Sequence, residues 1–147
     1  MAVIDTDILV DYFRGLEEAA RYLESLPSTS RRVTHITVME LYKGAANRRE
    51  LRQIKAFLTG NGFVGLPITA EASQLAVQLV EQYGPGHGLT IPDALVAAIC
   101  LVNGEQLVTG NARHFRYIPG LTAAPPPYRQ GSQSSAPRAT SEPDVPS

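Results

Sequence analysis

The sequence lacks the features that mark several common protein classes. Its 147 residues include one cysteine, Cys100, which excludes an intrachain disulfide framework and a metal site built on several cysteines. No apolar run reaches the ~18 residues that a membrane-spanning helix needs, and no basic segment precedes the apolar N-terminus as it would in a signal peptide. No internal repeat is present. These absences favour a soluble protein of the cytoplasm that makes no use of a membrane.

An excess of charge of either sign is also lacking, because 13 Lys and Arg residues nearly balance 14 Asp and Glu residues and the net charge is -1. A near-neutral chain has no strong global attraction to nucleic acid or to a membrane surface. Locally, however, residues 31–55 carry seven Lys and Arg residues against two Glu residues. Arg48, Arg52 and Lys55 are spaced by 4 and 3, so they share one helix face. This basic stripe is either ordinary solvated surface or a contact surface for RNA phosphates.

What the sequence does contain is an alternation of short apolar runs with helical patterns. Hydrophobic residues make up 44% of the chain, which is enough for a core. Alternating strands and helices predict an α/β fold of three layers, with a mostly parallel sheet of four or five short strands flanked by helices. The predicted strands cover residues 2–4, 32–37, 63–66, 106–109 and 117–121.

The C-terminal part of the chain has a different composition. Six of the eleven prolines follow residue 122, and apolar residues are sparse there. Such a segment buries too little apolar surface to fold. The sequence therefore predicts a domain over residues 1–122 and a disordered Pro/Ser-rich tail over 123–147 that is dispensable for catalysis.

Asp5 follows the first apolar strand directly, and a helical pattern begins at once. Thr6 or Asp7 is a suitable N-cap for that helix. In open α/β sheets, ligands bind at the carboxyl ends of the strands. Asp5 is therefore either a site residue or an ordinary turn residue.

Glu40 presents a similar choice between two roles. The sequence from Thr37 to Glu40 has the T-x-x-E pattern of a capping box, in which the glutamate satisfies a helix N-terminus. Yet the same position comes just after the predicted second strand, at the sheet edge that carries Asp5. Both the capping role and a site role are open.

Asp93 is the only charge in a long apolar segment. Pro92 suits a first helical turn, and the helix that follows is apolar on every side and should be buried. The helix dipole favours an aspartate in this turn, but a carboxylate at the mouth of a buried helix also needs a partner. We expect a site role for Asp93.

These acidic positions should converge on one edge of the sheet. Asp5 and Asn111 each follow a strand, whereas Glu40 and Asp93 each start a helix. Carboxylates ~4 Å apart repel by about 4 kcal/mol at an effective dielectric constant of 20, and a divalent cation removes that cost. Oxygen ligands without several Cys or His residues point to Mg²⁺ or Mn²⁺. The predicted chemistry is metal-assisted hydrolysis of a phosphodiester.

Four motifs in this order resemble the PIN-domain ribonucleases, and most closely their VapC toxin branch. The motifs are D-T-D at residues 5–7, E-L at 40–41 with a glycine soon after, I-P-D-A-L-V-A-A at 91–98, and T-G-N-A-R-H-F at 109–115. The resemblance covers roughly residues 1–121.

The resemblance implies roles for particular residues. It makes Asp5, Glu40 and Asp93 the metal ligands, and it places Thr109 and Asn111 among the catalytic residues of the site. The family often has an acid at the fourth position, so Asn111 supplies less charge for a second metal ion. The resemblance also implies an RNA substrate, an antitoxin partner and a homodimer.

Two other interpretations are open. Asp5-Thr6-Asp7 after a strand also resembles the haloacid-dehalogenase phosphatases, with Asp5 as nucleophile and Asp7 as general acid. That chemistry needs a downstream lysine, and the chain offers only Lys43 and Lys55. Alternatively, the chain is a PIN-fold binding protein that has lost turnover through Asn111.

Two histidines receive no catalytic role from the sequence. A glycine-rich loop is predicted over residues 84–90, and His87 in such a loop is expected to be simply exposed. His114 and Phe115 are predicted to be structural, with Phe115 packing under the sheet edge.

Overall fold

The computed structural model describes residues 1–134 and shows a parallel sheet between two layers of helices. Strands and helices alternate along most of the chain, as predicted. In chain order the elements are β1 (Ala2–Ile4), α1 (Thr6–Phe13), α2 (Glu17–Ser25), β2 (Arg32–Thr34), α3 (His35–Gly44), α4 (Arg48–Gly60), β3 (Val64–Leu66), α5 (Ala70–His87), α6 (Ile91–Val102), β4 (Gln106–Val108), β5 (Ala123–Ala124) and α7 (Pro127–Ser134).

The five strands lie in the order β3-β2-β1-β4-β5, and every pair is parallel. The chain moves outward from β1 through β2 to β3, and then returns to place β4 on the other side of β1. Strand order therefore reverses between β1 and β4. In open parallel sheets, the crevice at such a switch point is where ligands bind.

Each face of the sheet has its own apolar core. Adjacent residues of a strand point to opposite faces, so Val3 packs with α5 and α6 whereas Ile4 packs with α1, α2 and α4. Helix α6 is buried along most of its length, as its all-round apolar sequence predicted. Within residues 1–134, no helix is long and apolar enough to cross a membrane.

Side-chain caps set where most of the long helices begin. An Asp, Asn or Thr side chain accepts a hydrogen bond from one of the first backbone N–H groups, which have no partner inside the helix. The sequence suggested Thr6 or Asp7 as the cap of α1, and this is wrong, because Asp5 is the cap. The capping residues are Asp5 for α1, Thr34 for α3, Asn47 for α4, Thr69 for α5 and Thr90 for α6.

Helix α5 is one turn longer than predicted. The loop predicted over residues 84–90 implies that the preceding helix ends at Gly84, but the helix continues to His87 and ends at Gly88, which has a φ of +70°. The N–H of Gly88 bonds to the carbonyl of Gly84 (2.9 Å), an arrangement that glycine adopts at little cost. The predicted glycine-rich loop over 84–90 is therefore mostly helical, and His87 lies on its last turn.

The C-terminal segment is ordered further than predicted. The last strand is β5 at Ala123–Ala124, not residues 117–121. It pairs with β4, and the Thr109 N–H donates to the Ala124 carbonyl (3.0 Å). Helix α7 follows it. The prediction that disorder begins at residue 123 is therefore wrong for residues 123–134, which include β5 and α7. Strand β5 is held by backbone hydrogen bonds to the edge of β4, which do not require apolar side chains. Residues 135–147 of the predicted tail lie outside the described residues.

Candidate active site at the carboxyl edge of the sheet

The switch point between β1 and β4 brings polar side chains together. Asp5 follows β1, Thr109 follows β4, and the Asp5 N–H donates to the Val108 carbonyl at 2.9 Å. Asp93 joins them from the first turn of α6, near enough for its charge to raise the pKa of Asp5. The predicted convergence of strand ends and helix starts is therefore observed for these residues.

Asp5 is the most perturbed carboxyl group of this edge. Its Oδ1 accepts the Thr6 N–H at 2.8 Å, and the Thr109 hydroxyl, which is fully buried, bonds to the same carboxyl. Burial, and then the charge of Asp7, raise the pKa of Asp5 from 3.8 to about 7, although both hydrogen bonds act in the opposite direction. Such a group holds its charge near neutral pH only with help from a positive partner.

Asp7 is a second carboxylate of the cluster, and the sequence did not place it among the metal ligands. Its Oδ2 accepts the Gly110 N–H at 2.8 Å and lies 3.5 Å from Arg129 Nη1. Its Oδ1 is buried, and no group within residues 1–134 makes a hydrogen bond to it. Burial raises the pKa of Asp7, and the Arg129 guanidinium partly offsets that rise.

Asp93 connects the acidic cluster to a basic side chain. Burial raises the pKa of Asp93, the nearby His114 lowers it, and the charges of Glu40 and Asp7 raise it further. A hydrogen bond from Thr90, the cap of α6, also favours the charged form. His114 was predicted to be structural, but the structure places it beside a site carboxylate.

Glu40 belongs to the same edge but is exposed. The predicted capping box is wrong, because the N-cap of α3 is Thr34, whose hydroxyl accepts the Thr37 N–H at 3.2 Å. Strand β2 ends three residues earlier than predicted, so Glu40 lies in the middle of the helix. Its Oε1 instead accepts the Thr6 hydroxyl at 2.5 Å. Glu40 therefore does not cap α3.

Helix α7 closes one side of the cluster, which we call the α7 flank (Asp7, Asp11, Tyr128 and Arg129). Arg129 donates to Asp11 Oδ2 through Nε (3.1 Å) and Nη2 (2.7 Å), and Tyr128 Oη donates to the same oxygen (2.7 Å). A Cβ added at Gly110 would overlap both the Arg129 guanidinium and the Asp7 carboxylate. Only glycine leaves room there for the Arg129–Asp7 pair.

A cavity of about 460 Å³ opens on what we call the cavity flank (His87, Asp93, Arg113, His114 and Tyr117). The remaining lining residues are Gly88, Leu89 and Thr90. The imidazole of His87 stacks on the Tyr117 ring with centroids 4.0 Å apart and planes 12° apart. The cavity flank therefore joins one site carboxylate to basic and aromatic side chains.

The other predicted residues have varied positions. The Asn111 side chain is exposed, and its backbone N–H donates to Thr109 Oγ1 at 3.1 Å. Arg48, Arg52 and Lys55 are all exposed on α4. The two arginines at the start of the basic segment have structural contacts, since Arg31 donates to backbone carbonyls and Arg32 pairs with a buried glutamate (3.1 Å). Phe115 is buried, as predicted.

The donors of this edge fit a hard divalent cation. They are carboxylate oxygens, and burial raises the pKa of Asp5 and Asp93, so a cation bound there would offset the cost of ionising them. Among residues 1–134, Asp7 Oδ1 is a further buried oxygen to which no hydrogen bond is made. Within residues 1–134, no group of three or more His, Cys, Asp or Glu side chains forms a ready-made metal cage. Mg²⁺ does not need one, because it keeps several waters and binds through one or two carboxylates.

Sequence reasoning missed three residues of this edge. Asp7 was visible as the second acid of the D-T-D motif, and His114 lay within the quoted T-G-N-A-R-H-F motif. Arg129 carried no signal, because it lies in a segment whose composition predicted disorder.

Known proteins are similar to this chain over most of its length. Residues 2–121 match the family described as PIN domain. The chain is 32% identical over 131 residues to Ribonuclease VapC19 of Mycobacterium tuberculosis, which covers 87% of this chain and 100% of the relative.

Solved structures of toxin–antitoxin complexes have the same fold. A toxin–antitoxin complex from Klebsiella pneumoniae superposes with a TM-score of 0.69 at 30% identity, covering 83% of this chain and 96% of that one. The DNA-bound VapBC of Salmonella typhimurium gives a TM-score of 0.72 at 24% identity, with coverages of 84% and 97%. The predicted α/β class is thereby confirmed.

Proposed function

Because the chain belongs to the PIN-domain family, within its VapC ribonuclease branch, we propose that it is a toxin that hydrolyses RNA phosphodiester bonds with a bound divalent cation. The observation that carries the proposal is the state of Asp5. Its carboxyl is held at the switch point of the sheet with Asp7 and Asp93 nearby, and its pKa rises to about 7. A structural turn aspartate has no need of such surroundings, and strongly perturbed groups in a crevice are typical of active sites.

The residues divide into those that hold the cation and those that position them. Asp5 and Asp93 supply the central carboxylates, and Glu40 supplies a third from α3. The Thr109 hydroxyl fixes the orientation of Asp5, and Asn111 offers a neutral amide at the rim. When bound to these residues, Mg²⁺ or Mn²⁺ would supply the neutralising charge and would lower the pKa of a coordinated water.

The proposal includes partners. Structures similar to this chain are complexes of toxins with antitoxins, and we propose a cognate antitoxin for this chain as well. A second cavity of about 380 Å³ lies between α1, α3 and α4, next to Glu40. Its apolar walls include Val10, Phe13 and Ile54, which suits an antitoxin segment that blocks the acidic edge.

We further propose a homodimer and a cytoplasmic location. Val77 and Ile91 are 67% exposed on α5 and α6, and large apolar side chains in such positions suit a subunit contact. The cytoplasm is where a toxin of this class meets RNA.

The test is RNA cleavage by the central carboxylate variants. Asp5→Ala and Asp93→Ala should each abolish hydrolysis in Mg²⁺. In the metal-free protein, Asp93→Ala should leave the thermal unfolding temperature equal or slightly higher because repulsion falls, whereas Asp5→Ala also loses the N-cap of α1, which costs about 0.5–2 kcal/mol. Sequencing of 5′ ends after induction, with Asp5→Ala as the control, identifies the cleaved RNA. Cleavage at a near wild-type rate by either variant would show that the assigned site is wrong. Metal-dependent stabilisation of the wild type without any cleavage would favour the binding-protein interpretation.

Glu40→Gln separates the metal role of Glu40 from a purely structural one. The glutamine keeps an acceptor for the Thr6 hydroxyl and loses the charge, so we expect full folding and a severe loss of cleavage. Gln53→Ala, at another lining position of the same cavity, serves as the control. Unimpaired cleavage by Glu40→Gln would remove Glu40 from the metal site.

A further inference from the structure

The cavity flank has no assigned task in the hydrolysis beyond Asp93. Its cavity of about 460 Å³ shares that residue with the acidic cluster, so anything bound there lies next to the reacting phosphate. The volume is within the range of about 300–1,000 Å³ that small-molecule sites occupy. The lining has the chemistry of a nucleotide site, with basic side chains beside flat rings.

The rings of this flank are held in fixed planes. His87 stacks on Tyr117 at 4.0 Å, and Tyr83 packs against Tyr117 at 5.1 Å. His87 is nevertheless exposed, because α5 ends at the left-handed Gly88 immediately after it. The two stacked rings are too close for a base to insert between them, so a base must contact the outer face or edge of the imidazole.

The charges of the flank suit the backbone of the same nucleotide. His114 lies near enough to Asp93 to act on its carboxylate, and Arg113 lies on the exposed side of the cavity. Arginine binds phosphate through a planar fork of N–H groups, and single-stranded RNA is recognised mostly through stacking on aromatic rings.

We propose that this cavity is the binding site for one nucleotide of the RNA, immediately beside the scissile phosphate. The base lies on the exposed face of His87, and the phosphate or ribose faces Arg113 and His114. This inference rests on the proposed ribonuclease function and adds to it the residues that choose the flanking nucleotide.

The experiment is a binding cycle with the full chain and the RNA oligonucleotide that the wild type cleaves. Binding is measured by fluorescence anisotropy in an Asp5→Asn background, which prevents turnover, with intact RNA and with RNAs that are abasic at single positions around the cleavage site. One abasic position should weaken binding roughly 10-fold, as expected for the loss of one base–aromatic stack. In the His87→Ala protein, the same abasic RNA and the intact RNA should bind equally.

Controls separate the cavity from its surroundings. Gln82→Ala is exposed on the same helix outside the cavity and should leave the abasic effect unchanged. Arg113→Ala should weaken binding of both RNAs, whereas Arg116→Ala, exposed on the same loop, should not. Tyr117→Leu is the second variant, with folding checked by circular dichroism.

The possible failures are distinguishable. If every abasic position has the same effect in His87→Ala and Tyr117→Leu as in their parent, the nucleotide lies elsewhere and this inference is wrong, although the ribonuclease function stands. If the wild type cleaves no RNA with either Mg²⁺ or Mn²⁺, both the function and the subsite are overturned.

Discussion

The two flanks of the acidic edge differ in where their basic side chains lie. On the α7 flank, Arg129 is committed, with two donors on Asp11 and a third nitrogen 3.5 Å from Asp7. On the cavity flank, the basic side chains line about 460 Å³ of space that is open to a ligand. One flank therefore packs its arginine against two of the protein's own carboxylates, whereas the other places basic side chains around the cavity next to Asp93.

This difference shows why a count of charges describes the site poorly. Arg113 and Arg129 contribute equally to the net charge of -1, but only Arg113 lines the cavity beside Asp93. The two arginines differ in position, because Arg129 lies against two partly buried acids whereas Arg113 lines the cavity. The predictions below test this division, from the largest expected effect on stability to the smallest.

The largest effect should follow the loss of Arg129. Arg129→Ala leaves Asp7 and Asp11 partly buried without their cation, and breaking such a pair is costly. Because the Arg129 side chain is 31% exposed, we expect a loss of about 1–3 kcal/mol in the free energy of unfolding. Chemical denaturation of the full chain measures it.

Arg21→Ala is the matched control for that variant. Arg21 pairs with Glu17 on the surface, where the two side chains are 63% and 80% exposed, so its loss should change stability by less than about 0.5 kcal/mol. Equal losses in the two variants would mean that the α7 flank is no more structural than an ordinary surface pair.

The second effect is a gain in the stability of Asp5→Asn over the wild type that grows as pH rises. Native Asp5 keeps its proton up to pH about 7, whereas the unfolded chain releases it near 3.8. Rising pH therefore destabilises the metal-free native state across this window, and Asp5→Asn removes the effect. One unit of pKa shift corresponds to about 1.4 kcal/mol. Allowing for partial solvent exposure, the advantage of Asp5→Asn should grow by about 1–2 kcal/mol between pH 5 and pH 8.

Thermal unfolding in EDTA at both pH values measures this advantage. Glu81→Gln, an exposed acid on α5, provides the comparison and should show almost no change with pH. A constant difference between Asp5→Asn and wild type at the two pH values would contradict the raised pKa.

The smallest effect on stability concerns the basic stripe. Arg48, Arg52 and Lys55 are exposed, so replacing all three with Ala should hardly change the free energy of unfolding. If RNA crosses this face, the log–log salt dependence of binding should flatten by roughly 0.7 for each lost phosphate contact, with metal affinity unchanged. An unchanged salt slope would assign the stripe to solvated surface and leave the cavity flank as the basic contact.

Much of the fold followed from sequence because its signals are local. The apolar runs and the all-round apolar α6 each predict an element from neighbouring residues, whereas the caps predicted for α1 and α3 were one to three residues away from the observed ones. The start of α3 was misplaced, because both Thr34 and Thr37 are followed by helix-compatible residues and only the end of β2 decides between them. Strand β5 was missed because a two-residue strand is specified by the β4 edge rather than by its own side chains.

The candidate site also has a part that local sequence predicts and a part that it does not. The location of Asp5 and Asp93 at one edge was predictable because strand ends and first helical turns converge at a switch point, and their roles as metal ligands stay predictions. The arrangement of His114 around Asp93 and of Arg129 around Asp7 depends on packing between distant segments. No pattern of neighbouring residues records such a pairing.

The link between the first helix and the last has a consequence for the order of assembly during synthesis. Asp11 and its partner Arg129 are separated by 118 positions, which a ribosome adds in about 6–24 s at 5–20 residues per second. Strand β1 likewise waits for β4, its neighbour in the sheet. A newly made chain therefore passes through an interval in which the carboxylates of α1 have neither their strand neighbour nor their arginine. The acidic edge is completed only when Arg129 has been added.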